Sequence, residues 1–120
     1  MAIEYHEPAQ ELSNETRNIH RALTSLVEEL EAVDWYNQRV DITDDEELKA
    51  VLAHNRDEEI EHAAMTLEWL RRKLPKFDEE LRTYLFTSGP ITELEEGKEG
   101  GEESSSSDGS SLGIGTLKKG

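Results

Sequence analysis

Residues 54–70 read HNRDEEIEHAAMTLEWL, and the prediction of the fold starts from this segment. At roughly 100° per residue, the pattern around it predicts one helix with a single inward stripe. The stripe carries Leu48, Val51, Leu52, Asn55, Glu59, His62, Thr66, Trp69 and Leu70. Glu59 and His62 stand at i and i+3 near its middle, so their side chains are neighbours one turn apart. Because an inward carboxylate is costly unless it is paired or binds a metal, this pair is a candidate for metal ligation.

A first helix precedes this stretch. Ser13 and Asn14 are N-cap candidates, and the apolar residues from Ile19 through Val40 recur at helical spacing. A turn is predicted over residues 41–45, with Thr43 and Glu46 as a capping box for the second helix. Two long helices joined by so short a turn predict an antiparallel hairpin.

The second helix should end near Lys73, because Pro75 discourages continuation. A third, shorter helix should end before Gly89 and Pro90. Its one apolar face is made of Phe77, Leu81, Tyr84 and Leu85. The predicted fold is therefore all-α, a two-helix hairpin plus a short helix over residues 13–92, after an N-terminal extension at residues 1–12.

The composition changes from Glu93 onward. Residues 93–110 are rich in Glu, Gly and Ser, which predicts a flexible acidic linker. Residues 111–120 form a separate segment in which Leu112, Ile114 and Leu117 make an apolar island. Such an island after a long polar linker favours a docking peptide, and the alternative is a disordered end without a partner.

Charge and composition exclude several functions. The formal net charge of −15 disfavours nucleic acid and favours cations. The chain has no cysteine, so any metal must be held by Glu, Asp or His, a donor set that suits iron and harder cations. No apolar run reaches the roughly 20 residues of a membrane span, and residues 1–6 lack the basic and apolar regions of a signal peptide. A cytoplasmic protein is expected.

The first helix supplies a third candidate ligand. Of Glu28, Glu29 and Glu31, helical rotation places only Glu29 at the margin of the apolar stripe. The hairpin turn puts Glu29 and Glu59 at similar heights, within about a turn of helix. Ferritin-like di-iron bundles use a Glu from each of two helices and Glu-x-x-His from each of the other two. This chain offers half of that set, so a two-fold dimer would supply the rest. The alternative is that His62 is an interface histidine and the acidic residues form solvated faces.

The strings themselves resemble one family. Residues 28–36 (EELEAVDWY), 54–70 and 82–87 (RTYLFT) are similar to the three helices of encapsulated ferritins. The resemblance covers most of residues 13–92. It implies a ferritin-like four-helix bundle built by dimerisation, and a ring of dimers, typically a decamer.

The resemblance also implies roles for particular residues. Glu29, Glu59 and His62 fall on the positions that bind two iron ions at each dimer interface, and Tyr36 lies beside them. An outer cation site is implied at Glu28, Glu31 and Trp35. For Trp35 and Tyr36 the alternative role is interface packing.

The C-terminal segment resembles a second known element. Residues 111–118 (SLGIGTLK) look like the peptide that directs cargo into encapsulin shells, with Leu112, Ile114 and Leu117 as anchors. Together the two resemblances imply a ferroxidase that oxidises Fe(II) to Fe(III) and supplies iron for mineral storage inside an encapsulin nanocompartment. Two alternatives stay open, namely an iron-binding cargo without redox turnover and a helical adaptor that binds no metal.

Overall fold

The computed structural model describes the backbone of residues 4–100 and the side chains of residues 4–95. Four α-helices follow a short 3-10 turn at Ala9–Glu11. They are α1 (Asn14–Ile42), α2 (Glu46–Lys73), α3 (Pro75–Tyr84) and α4 (Ile91–Gly100). No strand occurs within residues 4–100, so the all-α prediction is confirmed for this part of the chain.

The start of α1 follows the sequence prediction. Ser13 is the N-cap residue, and its hydroxyl accepts a hydrogen bond from the Thr16 amide at 3.1 Å. Ahead of the helix, Arg17 holds the N-terminal segment, since its guanidinium donates to the carbonyl oxygens of Ala9 at 3.0 Å and Leu12 at 2.7 Å. Tyr5 also stacks on His20, with 4.1 Å between ring centroids. Through Tyr5, Ala9 and Leu12, the N-terminal extension is therefore packed and hydrogen-bonded against the first part of α1.

The turn between the long helices differs from the prediction. Helix α1 continues to Ile42, and Thr43 is its C-cap, with both its amide and its hydroxyl donating to the Arg39 carbonyl. The N-cap of α2 is Asp45, whose carboxylate accepts from the Leu48 amide at 2.8 Å. The predicted capping box at Thr43 is wrong. The Thr43 hydroxyl is used by the preceding helix, and the Asp45 carboxylate also suits the positive end of the α2 dipole.

Helices α1 and α2 form the antiparallel hairpin. The Arg56 guanidinium donates to the Asn37 side chain at 3.0 Å, and Thr66 contacts Glu29 further from the turn. Residues later in α2 contact residues earlier in α1, so the two helices run antiparallel. The sequence prediction of a hairpin is confirmed.

One chain buries little of its apolar surface. Among the described hydrophobic residues only Ala63 and Leu70, both on α2, are buried. Large apolar side chains stay substantially exposed on both helices, including Leu30, Trp35, Leu48, Val51, Ile60 and Met65. The prediction that Leu48 and Val51 face inward is therefore wrong for the single chain. Two packed helices cover only one face of each other, so the margins of the predicted stripe remain open.

An ion-pair cluster fixes the last turns of α2. The Arg71 guanidinium donates to both carboxylate oxygens of Glu68 at 2.8 Å, and Arg72 adds a third contact at 2.7 Å. The hydrogen bonds from Arg71, followed by those from Arg72, lower the pKa of Glu68 from 4.5 to about 2. The cluster also places positive charge at the negative end of the helix dipole. As predicted, α2 ends at Lys73.

Contacts divide the chain into two units, one through Phe77 and one from Asp78. Helix α3 ends at Tyr84, which agrees with the prediction that it ends before Gly89. Phe86 follows with a positive φ of 61° and a side chain that is 96% exposed.

Helix α4 was not expected from the sequence. Its residues 93–100 coincide with the start of the segment assigned as a flexible linker. The rest of that segment and the peptide at residues 111–120 lie outside the described residues, so both assignments stay predictions. None of the helices in residues 4–100 combines the length and hydrophobicity needed to cross a bilayer.

Candidate metal centre

Helix α2 presents Glu59 and His62 side by side. The Glu59 Oε1 atom lies 3.6 Å from the His62 Nδ1 atom, and the two side chains are 28% and 43% exposed, respectively. Their proximity follows from the i, i+3 spacing alone. A partly buried carboxylate next to an accessible imidazole is a suitable pair of ligands for iron.

Helix α1 contributes Glu29, whose two carboxylate oxygens have different surroundings. The Oε2 atom accepts a long hydrogen bond of 3.4 Å from the Thr66 hydroxyl. The Oε1 atom is buried and has no hydrogen-bond partner. A buried carboxylate oxygen without a partner is costly, so Glu29 has one oxygen whose capacity to accept a hydrogen bond or a cation is unused. The prediction that Glu29 turns toward α2 agrees with this contact.

The three predicted ligands do not form a complete site in one chain. Within the described part of the chain, no three His, Asp or Glu side chains come close enough together to hold a metal ion. The Glu29 carboxylate meets α2 at Thr66, one turn beyond His62 and about two turns beyond Glu59. The prediction that Glu29 and Glu59 lie within about a turn of each other is therefore wrong for the single chain, because the hairpin register pairs Asn37 with Arg56 and Glu29 with Thr66. The chain therefore carries a ligand pair on α2 and a separate carboxylate on α1.

A second carboxylate lies next to His62. The Glu58 Oε1 atom lies 3.9 Å from His62 Nε2, while Glu58 Oε2 lies 3.7 Å from His54 Nε2. Each ring nitrogen of His62 thus faces a different glutamate. Glu58 is not among the predicted ligands, although the spacing of His54, Glu58 and His62 by four residues indicates a contact. A carboxylate at the second nitrogen of a ligating histidine can fix the orientation of the ring.

The remaining predicted residues of this region lie on α1 on both sides of Glu29. The Tyr36 ring is half-buried, and the Arg39 guanidinium carbon lies 5.5 Å from its centroid. Trp35 is half-exposed, Glu28 is exposed and Glu31 is half-buried. Their assignment to an outer cation site, and that of Tyr36 to the neighbourhood of the metals, stay predictions.

An open cleft of about 400 Å³ lies between the two long helices beyond Thr66. Its lining includes Ala22, Met65 and Trp69, together with polar groups from Arg21 and Ser25. The face of the hairpin that carries Thr66 is therefore concave and partly apolar.

The sequence profile of the EncFtn-like family matches residues 4–88, which include every predicted ligand of the metal centre. The chain belongs to the EncFtn-like family. The predicted resemblance to encapsulated ferritins is confirmed at the family level. The anchors Leu112, Ile114 and Leu117 lie beyond both the match and the described residues.

Two relatives of this EncFtn-like chain align over nearly its whole length. An encapsulated ferritin-like protein of Rhodospirillum rubrum is 61% identical over 122 residues, covering 94% of this chain and 86% of that protein. A ferritin-like protein of Thermotoga maritima is 60% identical over 114 residues, covering 95% of this chain and 97% of that protein. Both spans exceed the helical domain.

A third relative and one solved structure are also similar to this chain. The encapsulin nanocompartment cargo protein EncC of Myxococcus xanthus is 43% identical over 79 residues, covering 60% of this chain and 61% of that protein. The crystal structure of protein ne0167 from Nitrosomonas europaea superposes with a TM-score of 0.72 at 68% identity. It covers 74% of this chain and 98% of that chain.

Proposed function

We propose that this protein is a ferroxidase whose di-iron centre forms between two copies of the chain. Glu29, Glu59 and His62 from each copy would hold two iron ions, the ions being the substrate of the reaction. The observation that carries this proposal is the buried, partnerless Oε1 atom of Glu29, on the helix opposite the Glu59–His62 pair. A cation would satisfy that oxygen, and glutamate and histidine are donors that iron accepts.

Two properties of the single chain support a second copy as the partner. It supplies one Glu-x-x-His pair and one opposing glutamate, which is half of the ligand set of a ferritin-like bundle. It also leaves apolar side chains such as Val51 and Met65 exposed on the helix that carries Glu59 and His62. A two-fold axis through this face would double the ligands and cover those side chains together. By resemblance to encapsulated ferritins, the dimers would assemble into a ring, typically a decamer.

The donor set supports the proposed reaction. Each Fe(II) gives one electron to oxygen or peroxide and becomes Fe(III). Carboxylates favour the product because negative oxygen ligands stabilise the higher charge. Glu58, which faces the second nitrogen of His62, would orient that ligand. Glu28, Glu31 and Trp35 would form an outer site that delivers Fe(II) inward, and Tyr36 would lie beside the metals.

Encapsulation is the second part of the proposal. One relative is named an encapsulated ferritin-like protein and another an encapsulin nanocompartment cargo protein. The C-terminal anchors Leu112, Ile114 and Leu117 would bind the shell. The ferric product would then be mineralised and stored within the nanocompartment.

Rapid mixing of the apo-protein with Fe(II) and oxygen tests the activity. We expect ferric absorbance to develop far faster than in buffer, with the Glu29→Ala variant close to the buffer rate. If the protein binds Fe(II) but oxidises it no faster than buffer does, it is an iron-binding cargo without redox turnover. If elemental analysis after iron loading finds no bound iron, the protein is an adaptor and the proposal is wrong.

A further inference from the structure

The two oxygens of Glu29 differ because of one residue on the opposite helix. Thr66 Oγ1 lies 3.4 Å from Glu29 Oε2, a contact that spans 37 positions of sequence and joins α2 to α1. Glu29 Oε1 is buried without a partner. The carboxylate is thus held at one oxygen and unsatisfied at the other.

The hydroxyl of Thr66 departs from the usual behaviour of threonine in a helix. Such hydroxyls often bond the backbone carbonyl four residues earlier. Thr83 does so in α3, where its hydroxyl donates to the Glu79 carbonyl at 3.1 Å, and Thr43 does so at the end of α1. The hydrogen bond of Thr66 instead reaches across the helix pair to a carboxylate.

We infer that Thr66 is a positioning residue that holds Glu29 Oε2 and thereby directs Oε1 toward the cation, an inference that rests on the proposed di-iron centre. A carboxylate can rotate about its last side-chain bond, and a contact to one oxygen selects the plane in which the other oxygen lies. Groups that orient metal ligands in this way typically change metal affinity about 10–100-fold.

The length of the Thr66–Glu29 contact indicates how strongly the loss of the hydroxyl should weaken metal affinity. Hydrogen bonds between oxygen atoms are usually about 2.7–2.8 Å, so the 3.4 Å separation is a weak contact in the free chain. Contacts of this kind are often long in unliganded sites and tighten when the site is filled. The lower end of the range, about tenfold, is therefore expected.

The position of Thr66 makes the inference testable without altering a ligand. Thr66 follows His62 by one helical turn and is half-buried at the edge of the cleft. Replacing its hydroxyl by a methyl group in Thr66→Val keeps the shape and leaves Glu29, Glu59 and His62 in place. Thr66→Ser restores the hydroxyl with a smaller side chain. Thr83→Val is the matched control, because it removes a threonine hydroxyl from α3.

The experiment uses the full chain and Co(II), a divalent ion that oxygen does not readily oxidise in such ligands. Affinity and the visible absorption spectrum of bound Co(II) are measured for each variant, and KM and kcat for Fe(II) oxidation are measured alongside. We expect Thr66→Val to weaken Co(II) binding about tenfold, alter the spectrum and raise KM more than it lowers kcat. We expect Thr66→Ser to remain within about twofold of wild type in Co(II) affinity and Thr83→Val to match wild type.

Several results would overturn the inference, and they separate it from the proposed centre. A Thr66→Val protein with wild-type affinity and spectrum would show that the hydroxyl does not position Glu29. Thr66→Ser as impaired as Thr66→Val would show that shape matters rather than the hydroxyl. If Thr66→Val does not fold by circular dichroism, the Ser variant decides the question, because a wild-type spectrum and affinity support the hydroxyl and impairment opposes it. Equal Co(II) binding by wild type and Glu29→Ala would instead refute the proposed centre itself.

Discussion

In α2, Glu59 Oε1 lies 3.6 Å from His62 Nδ1, and both side chains leave the helix on the same side. Their partner on α1, Glu29, carries a buried oxygen without a hydrogen-bond partner. These three side chains make up the proposed ligand set of one chain.

Removing any one of the proposed ligands should abolish most of the activity. Glu29→Ala, Glu59→Ala and His62→Ala should each slow Fe(II) oxidation by more than about tenfold, because even residues that only orient a ligand cost that much. In a symmetric dimer each substitution also removes two ligands. Initial rates of ferric absorbance measure the effect. Glu95→Ala, an exposed glutamate of α4, is the control and should keep the wild-type rate. Wild-type rates in all three ligand variants would contradict the assignment.

Assembly should depend on metal. A monomer holds half of the ligands, so it should be nearly inactive and should associate when Fe(II) or Co(II) is added. A metal that binds only the dimer stabilises it by mass action, by about 2.7 kcal/mol when its concentration is a hundred times Kd. Sedimentation velocity with and without Co(II) measures the shift, and Glu29→Ala should show a smaller one. A fully active monomer in size-separated fractions would require a complete set of ligands within one chain.

The C-terminal segment should bind the encapsulin shell and should have no effect on the rate of Fe(II) oxidation. Truncation before Ser111 should abolish co-purification with an encapsulin shell, while the free protein keeps its ferroxidase rate. The reason is that Leu112, Ile114 and Leu117 hold nearly all the apolar area of the segment, and many copies in a ring reinforce weak docking. Normal loading of the truncated chain would assign shell binding to the helical domain.

The Glu68 cluster should make stability depend on acid pH. The hydrogen bonds from Arg71 and Arg72 lower the pKa of Glu68 from 4.5 to about 2 in the folded chain. A carboxyl group whose pKa is lower in the folded chain than in the unfolded chain stabilises the fold at pH values above the unfolded-state pKa. For Glu68 this contribution to stability is lost as the pH falls from about 4.5 toward 2. Glu68→Gln should therefore have a lower Tm than wild type at neutral pH, with the difference shrinking over that window. A constant Tm difference down to the bottom of the window would contradict this origin.

Local features of this protein could be predicted from the sequence. The Ser13 cap, the end of α2 at Lys73 before Pro75, and the adjacency of Glu59 and His62 depend on residues within about one helical turn of each other. The backbone geometry of a helix determines such relationships whatever surrounds it. The direction of the hairpin followed from the short turn.

Other features were decided only by tertiary structure. Thr43 and Asp45 were both candidates for the N-cap of α2. Asp45 is the N-cap, and Thr43 instead caps the end of α1. Exposure of Val51 depends on how much of α2 a single partner helix can cover, which periodicity does not specify. The difference between the two oxygens of Glu29 arises where α1 meets Thr66 of α2, because the environment of each atom in a buried carboxylate depends on contacts between residues distant in sequence.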